Sequence, residues 1–301
     1  MLLVTGDAST DEARPECGAS VEARVDEGFE LTGKPGGLGG LIASVWRSRD
    51  LMRMLAKKDF VARYRRASLG MAWAIGLPLV QAVVLAEVLS HLVGARFATP
   101  GSNYATFVYT GTLAWSFFSG TLTATTSSIT DGQVLATKIY FPRAVLPLTT
   151  VISSLYAFLP GLPLLVILAA AFGVHLGVRT FLLIPATLLM IALTTAFALV
   201  AAALHVYFRD MKYIVQAIVV PWFYASAVFF RLNFLHSHTF LRTAVELNPA
   251  TGMVLLFRAA VVGADPGWTS TLIWPFVWTA GLLLIAAELY RRFDRVFVDL
   301  L

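Results

Sequence analysis

A single cysteine, Cys17, stands among 301 residues, which excludes an internal disulfide and a cysteine-based metal cluster. Charge is scarce as well. Asp, Glu, Lys and Arg make up 14% of the chain, against roughly 25% in ordinary soluble domains, so little of the surface is built to meet water. The opening residues, Met1 to Glu12, carry no basic n-region, and no cleavable signal peptide is expected. No group of His, Cys, Asp and Glu has metal-ligand spacing. No aspartate-rich pair is present that would hold magnesium for prenyl-phosphate chemistry. A phosphate-binding loop is missed by one residue. In Gly28-Phe29-Glu30-Leu31-Thr32-Gly33-Lys34-Pro35 the proline occupies the position where Ser or Thr holds magnesium. An acidic segment precedes this stretch and a glycine run follows it, so the chain itself is not expected to hydrolyse ATP.

What the chain has is apolar length. Hydrophobic residues make up 57% of it and the mean hydropathy is +0.73. Six stretches stand out: Gly70–Val93, Tyr104–Ser128, Ala144–His175, Thr180–Tyr207, Ile214–Phe230 and Thr269–Tyr290. One helical crossing of a bilayer takes ~20 predominantly apolar residues, so an all-α membrane protein with six transmembrane helices is expected. Two shorter apolar pieces within Leu247–Val262 are interrupted by Asn248-Pro249 and followed by Gly263. They suit outer re-entrant helices, which survive at membrane depth only when covered by protein. Capping of a channel exit and simple packing against the sixth crossing both remain open for them.

Charge of both signs is unevenly placed. Residues 1–30 hold eight acidic and two basic residues, a net of −6, and the remainder of the chain nets +11. Residues 1–40 are expected to form a disordered acidic and Gly-rich tail, either regulatory or merely solvated. Sixteen basic residues fall on the side of the termini and five on the other, which places both termini in the cytoplasm of a multi-pass inner-membrane protein. Residues 41–66 read as an amphipathic interfacial helix, with Leu51, Met54, Leu55 and Ala62 on one face and Arg53, Lys57, Arg63 and Arg65 on others. An orientation signal alone is the competing reading. Residues 67–301 form the transmembrane domain.

Ionisable residues within an apolar span are costly and call for a functional test. Glu87 and His91 lie four apart on one helical face and could relay a proton in a secondary transporter. The other spans add only His205 and Glu288, both near boundaries, so a local hydrogen-bonded pair accounts for them equally. Aromatic residues gather on the second and fifth spans, among them Tyr104, Trp115, Phe118, Trp222 and Tyr224. Those near span ends fit an interfacial belt.

Three segments carry a resemblance. The first runs from Lys58-Asp59-Phe60 through Arg63-Tyr64-Arg65-Arg66 to Trp73 and Leu77-Pro78. The second is Asp131-Gly132-Gln133 with Lys138-Ile139-Tyr140-Phe141-Pro142-Arg143 and Leu146-Pro147. The third joins Tyr207-Phe208-Arg209-Asp210 to Leu247-Asn248-Pro249 and Phe257-Arg258. Together, over about residues 42–295, they resemble the ABC-2 type permeases that export polysaccharides and teichoic acids, the transmembrane half of O-antigen-type ABC exporters. The resemblance implies a non-catalytic permease that forms a homodimer within a heterotetramer with a separate ABC ATPase (nucleotide-binding) subunit. ATP and Mg then belong to the partner, and this chain carries no cofactor. The implied substrate is a polyprenyl-diphosphate-linked glycan, such as O-antigen, teichoic acid or cell-wall galactan. Membrane lipids are expected contacts and nucleic acid is not.

The same resemblance assigns roles. Lys138, Ile139, Tyr140, Phe141, Pro142 and Arg143 become a cytoplasmic coupling or gate helix that meets the ATPase. Arg53, Lys57, Lys58, Arg63, Arg65 and Arg66 lie where a lipid diphosphate enters, and guanidinium forks suit phosphate oxygens. Ordinary anionic lipid explains the same residues. Tyr104, Trp115, Phe118, Trp222 and Tyr224 become candidate aromatics of a glycan channel. A drug or lipid efflux permease is the neighbouring alternative, and a proton-coupled transporter using Glu87 and His91 a more distant one. A membrane glycosyltransferase would need a nucleotide-sugar site that the sequence does not offer.

Overall fold

The computed structural model describes residues 38–65, 67–93, 103–133, 141–232, 239–263 and 271–293. Helices joined by turns and short irregular stretches make up these residues, with no strand among them. The acidic segment and the near-match to a phosphate loop at residues 28–35 lie outside the described residues.

Helix α1 spans Leu38–Arg47 and α2 spans Arg49–Tyr64, with a break at Ser48. The Ser48 hydroxyl donates back to the Ser44 carbonyl at 3.1 Å. Helix therefore begins at Leu38, inside the stretch expected to belong to the disordered tail, and the interfacial element is two helices rather than one. α3 (Ala72–Val93) follows, entered through Gly70 at φ 52°, a left-handed conformation that other residues adopt only with strain. α4 (Tyr104–Thr126) is capped by Asn103, whose side chain accepts from the Ala105 N–H. α5 (Val145–Phe158) and α6 (Gly161–Ala171) are successive parts of one apolar segment that continues through Leu159-Pro160. A 3-10 turn over Val178–Leu182 leads into α7 (Leu183–Tyr207), and α8 covers Met211–Ala225. α9 (Thr239–Leu247) and α10 (Pro249–Val261) meet at Asn248, and α11 spans Ile273–Phe293.

Among the described residues, four helical segments are long and apolar enough to cross a membrane: Ala72–His91, Val145–Ala171, Val178–Tyr207 and Ile273–Arg292. A fifth arises if α9 and α10, bent by 79° at their junction, are taken as one broken span. The chain is thus an all-α membrane protein, while the count of six goes beyond what length and composition support. Two of the expected crossings account for the difference. α8 ends at Ala225 rather than Phe230, and its 15 residues rise only about 22 Å, short of a ~30 Å hydrocarbon core. α4 has the length and no charge, but seven threonines dilute its apolarity.

Those threonines are placed inside the protein. Sixteen of the 23 residues of α4 are buried, because α3, α5, α6, α7, α8 and α10 all pack around it. Several of its hydroxyls are satisfied within the helix: Thr110, Thr112, Thr125 and Thr126 each donate to a carbonyl one turn back, at 2.7–3.0 Å. The main core forms around Phe107, Val108, Phe118, Leu165, Met190, Leu193, Met253 and Phe257. α3 behaves oppositely, with Val80, Val83, Val84 and Val88 all exposed on its outer side.

Candidate functional site

α2 carries the basic cluster, and its buried face differs from the one the periodicity pointed to. Met52 and Ala56 are buried, while Met54 and Ala62 face outward. Met52 packs with Phe141, Val145 and Leu146, and the Phe60 ring meets Tyr156 edge-on at 6.0 Å. α2 is therefore laid along α5, from Val145 to Tyr156, burying positions four apart rather than the stripe through Leu51 and Leu55. This leaves Arg53, Lys57, Lys58 and Arg65 exposed. Arg53 lies 3.8 Å from Asp50 and Arg63 donates to Asp59 at 3.1 Å, exposed pairs of about 0–1 kcal/mol each. Arg66 lies outside the described residues.

Of the segment expected to meet an ATPase, Lys138, Ile139 and Tyr140 lie outside the described residues. Phe141 is 5% exposed, in the small core beneath α2. Its ring is thus taken up inside the chain, joining the loop to α2 and α5, rather than offered to another protein. Pro142 and Arg143 are half-buried at the start of α5.

The five aromatic candidates divide. Trp115, Phe118 and Trp222 form one cluster: Phe118 to Trp222 is 5.2 Å between centroids, Trp115 to Phe118 5.6 Å and Trp115 to Trp222 6.1 Å. Phe197 on α7 adds edge-on contacts to Phe118 and Trp222 at 5.6 and 5.4 Å. Trp115 and Phe118 are buried in this core and present no ring face to the chain surface. Tyr104 is half-buried and donates to the Phe229 carbonyl at 2.9 Å. Tyr224 is 60% exposed and is the one ring of the five open to a ligand or a lipid.

A polar node beside this cluster holds the broken helices together. Asn248 caps α10 by accepting from the Ala250 N–H at 3.0 Å. The same oxygen accepts from Trp222 Nε1 at 3.0 Å, and the amide nitrogen donates to Ser226 Oγ at 3.0 Å and the Ala225 carbonyl at 3.2 Å. One side chain thereby ties the end of α8 to the start of α10. Ten residues on, Arg258 is 1% exposed. Its guanidinium donates to the carbonyls of Ala227 at 2.5 Å, Phe230 at 3.3 Å and Val228, and stands 3.5 Å from the Phe107 ring centroid. No carboxylate pairs with it among the described residues. Instead it takes the carbonyls of the turn that follows the end of α8. Arg258 is one of the five basic residues that the charge count assigns to the outer side. The available signal was a lone arginine within Val254-Leu255-Leu256-Phe257-Arg258-Ala259-Ala260-Val261, where only an internal role offsets the cost of burial.

Glu87 and His91 do meet, 3.6 Å apart, and His91 Nδ1 also lies 2.8 Å from the Glu87 carbonyl. Both side chains are largely exposed on α3, which packs on α4 and α5, whereas His205 and Glu288 belong to α7 and α11. Glu288 is held by Arg291 and Arg292 on its own helix. No cluster of three or more His, Cys, Asp or Glu residues occurs among the described residues.

A helical bundle with several membrane-length segments, a basic helix laid along one of them and a broken helix pair pinned by buried polar side chains defines an integral membrane protein of transporter type. Residues 50–262 match the ABC-2 type transporter family, and the chain belongs to that family. It is similar to the O-antigen export system permease protein RfbA of Myxococcus xanthus, 30% identical over 219 residues that cover 73% of this chain and 83% of that protein. Two O-antigen export system permease proteins RfbA of Klebsiella pneumoniae are each 24% identical over 210 residues, covering 69% of this chain and 79% of theirs.

Proposed function

We propose that this chain is the permease subunit of an ABC exporter that moves a polyprenyl-diphosphate-linked polysaccharide across the cytoplasmic membrane, powered by a separate ATPase. The observation that carries the proposal is the similarity to O-antigen export permeases over 73% of the chain. The glycan is an O-antigen or a related envelope polymer such as teichoic acid or galactan. Two copies of the chain and two of the ATPase make up the transporter, and ATP and Mg are bound by the ATPase. Both termini are cytoplasmic.

In this arrangement Arg53, Lys57, Lys58 and Arg65, exposed along α2, attract the diphosphate to the headgroup layer. Contact with the ATPase falls to Lys138, Ile139, Tyr140 and Arg143, while Phe141, packed with Met52, Val145 and Leu146, transmits displacement to α2 and α5. Rings that hold sugars loosely are drawn from exposed aromatics such as Tyr224.

The test is reconstitution of the chain with its ABC ATPase partner in proteoliposomes loaded with the lipid-linked glycan. ATP-dependent exposure of glycan to an external glycosidase is expected, and it persists when Glu87→Gln and His91→Gln are combined. Glycan movement driven by a proton gradient without ATP, or ATP hydrolysis by this chain alone, overturns the proposal.

A further inference from the structure

Between the last turn of α2 and the flanks of α3, α4 and α5 lies a cleft of about 370 Å³, within the ~300–1,000 Å³ range of small-molecule sites. Its apolar wall is Leu77, Pro78, Leu113, Phe117 and Phe158. On α3 this wall runs from Trp73 to Gln81, about 12 Å at 1.5 Å per residue. Arg63 and Tyr64 close one side. α4, buried nearly everywhere else, opens here through Ser116, Ser119 and Gly120, and nothing lies within 4 Å of where a Gly120 Cβ would stand.

Two residues that line the cleft carry buried hydroxyls with no hydrogen-bond partner among the described residues. Thr121 Oγ1 and Ser154 Oγ belong to residues 1% and 7% exposed, and neither bonds back to its own helix as Thr110, Thr125 and Thr126 do. A buried hydroxyl without an acceptor is expensive away from water. The cleft therefore offers donors (the Arg63 guanidinium and four hydroxyls) together with a hydrocarbon wall. Its occupant has to bring acceptor oxygens and apolar length at once.

We propose that this cleft is an anionic phospholipid site: one acyl chain lies along Leu77, Phe117 and Phe158, and phosphate and ester oxygens meet Arg63, Ser119, Thr121 and Ser154. A polar glycan would set its hydroxyls against the apolar wall, and water would leave that wall wet. A phosphate-headed lipid satisfies both. Asp59, which shares the Arg63 guanidinium, leaves its remaining N–H groups for the phosphate. The site lies within one copy of the chain and requires no assumption about the exported substrate. A lipid seated there wedges α3 away from α4 and α5 and ties their spacing to the composition of the leaflet that α2 enters.

The test uses the full-length chain in nanodiscs containing phosphatidylglycerol with a diazirine near the end of one acyl chain. Crosslinks are expected on residues 73–81 and 113–121. Excess phosphatidylglycerol should suppress them and phosphatidylcholine should not. Gly120→Trp, which fills open space, should abolish the labelling. Arg63→Gln should weaken phosphatidylglycerol competition about tenfold, the loss of one charge-assisted hydrogen bond. Thermal melting of each variant separates site loss from unfolding, and Arg63→Gln, on an exposed position, carries the test should Gly120→Trp melt early. Labelling confined to the outer side of α3 at Val83, Val84 and Val88, equal competition by phosphatidylcholine, or stronger competition by a polyprenyl phosphate each overturns the proposal.

Discussion

Replacing Arg258 with methionine removes three hydrogen bonds while keeping most of the side-chain volume. The carbonyls of Ala227, Val228 and Phe230 lose their donor, and the Phe107 ring loses the cation stacked on it at 3.5 Å. Each carbonyl left unsatisfied in an apolar setting costs roughly 1–3 kcal/mol, and the ring contact adds about 1–2 kcal/mol where it is desolvated. Methionine recovers part of this, since a buried guanidinium carries a desolvation cost of several kcal/mol. Partial re-solvation of the 226–230 turn recovers more. A net loss of about 2–4 kcal/mol follows. Arg258→Lys keeps the charge but not the fork, so it cannot span the three carbonyls and is expected to lose about half as much. Gly111→Ala approaches the same node from α4, since its Cβ would stand 2.6 Å from the Val228 carbonyl oxygen and 3.0 Å from Arg258 Nη2. The assay is thermal unfolding in detergent, together with amide exchange at residues 226–230. Arg258→Met should lower the midpoint and speed exchange at that turn before any other, with Arg258→Lys between it and the unaltered chain. An unchanged midpoint and unchanged exchange at 226–230 in Arg258→Met refute the claim that this arginine holds the broken helix ends.

Two further outcomes follow from packing. Gly252→Val places a Cβ 2.5 Å from Pro275 Cγ and 2.6 Å from the Thr271 carbonyl oxygen, so α10 and α11 must separate at a cost of about 1–3 kcal/mol; a lowered melting midpoint in detergent checks it. Phe141→Ala empties the core shared with Met52, Val145 and Leu146, with a loss of up to about 3–5 kcal/mol. Its signature is faster proteolysis within α2, while sites in α7 remain protected.

Much of the candidate site was legible as residue types and only partly as positions. The α2 basic residues and the Asn248-Pro249 break were readable because charge clustering and helix caps are local properties of a chain. The fate of Phe141, Trp115 and Phe118 was not, since apolar residues of one kind serve equally as ligand contacts, as lipid contacts or as core. Arg258 escaped for a related reason: charge counting assigns an arginine to the nearest loop, and only the course of the 226–230 turn supplies carbonyls that hold it inside.

By itself, the order of residues settled that this is a helical membrane protein, with a break at Asn248-Pro249; the breaks at Ser48 and Pro160 came from the structure. Hydropathy and backbone chemistry act over a few neighbouring residues and need no tertiary context. Tertiary structure alone decided which apolar helix goes inside. α4, less apolar than α3, is the central one, because five of its seven threonines bond back to their own backbone and its small residues let six neighbours approach. α3 keeps its valines outward. Burial is a contest between faces for a limited interior, and a linear reading sees each face without its competitors.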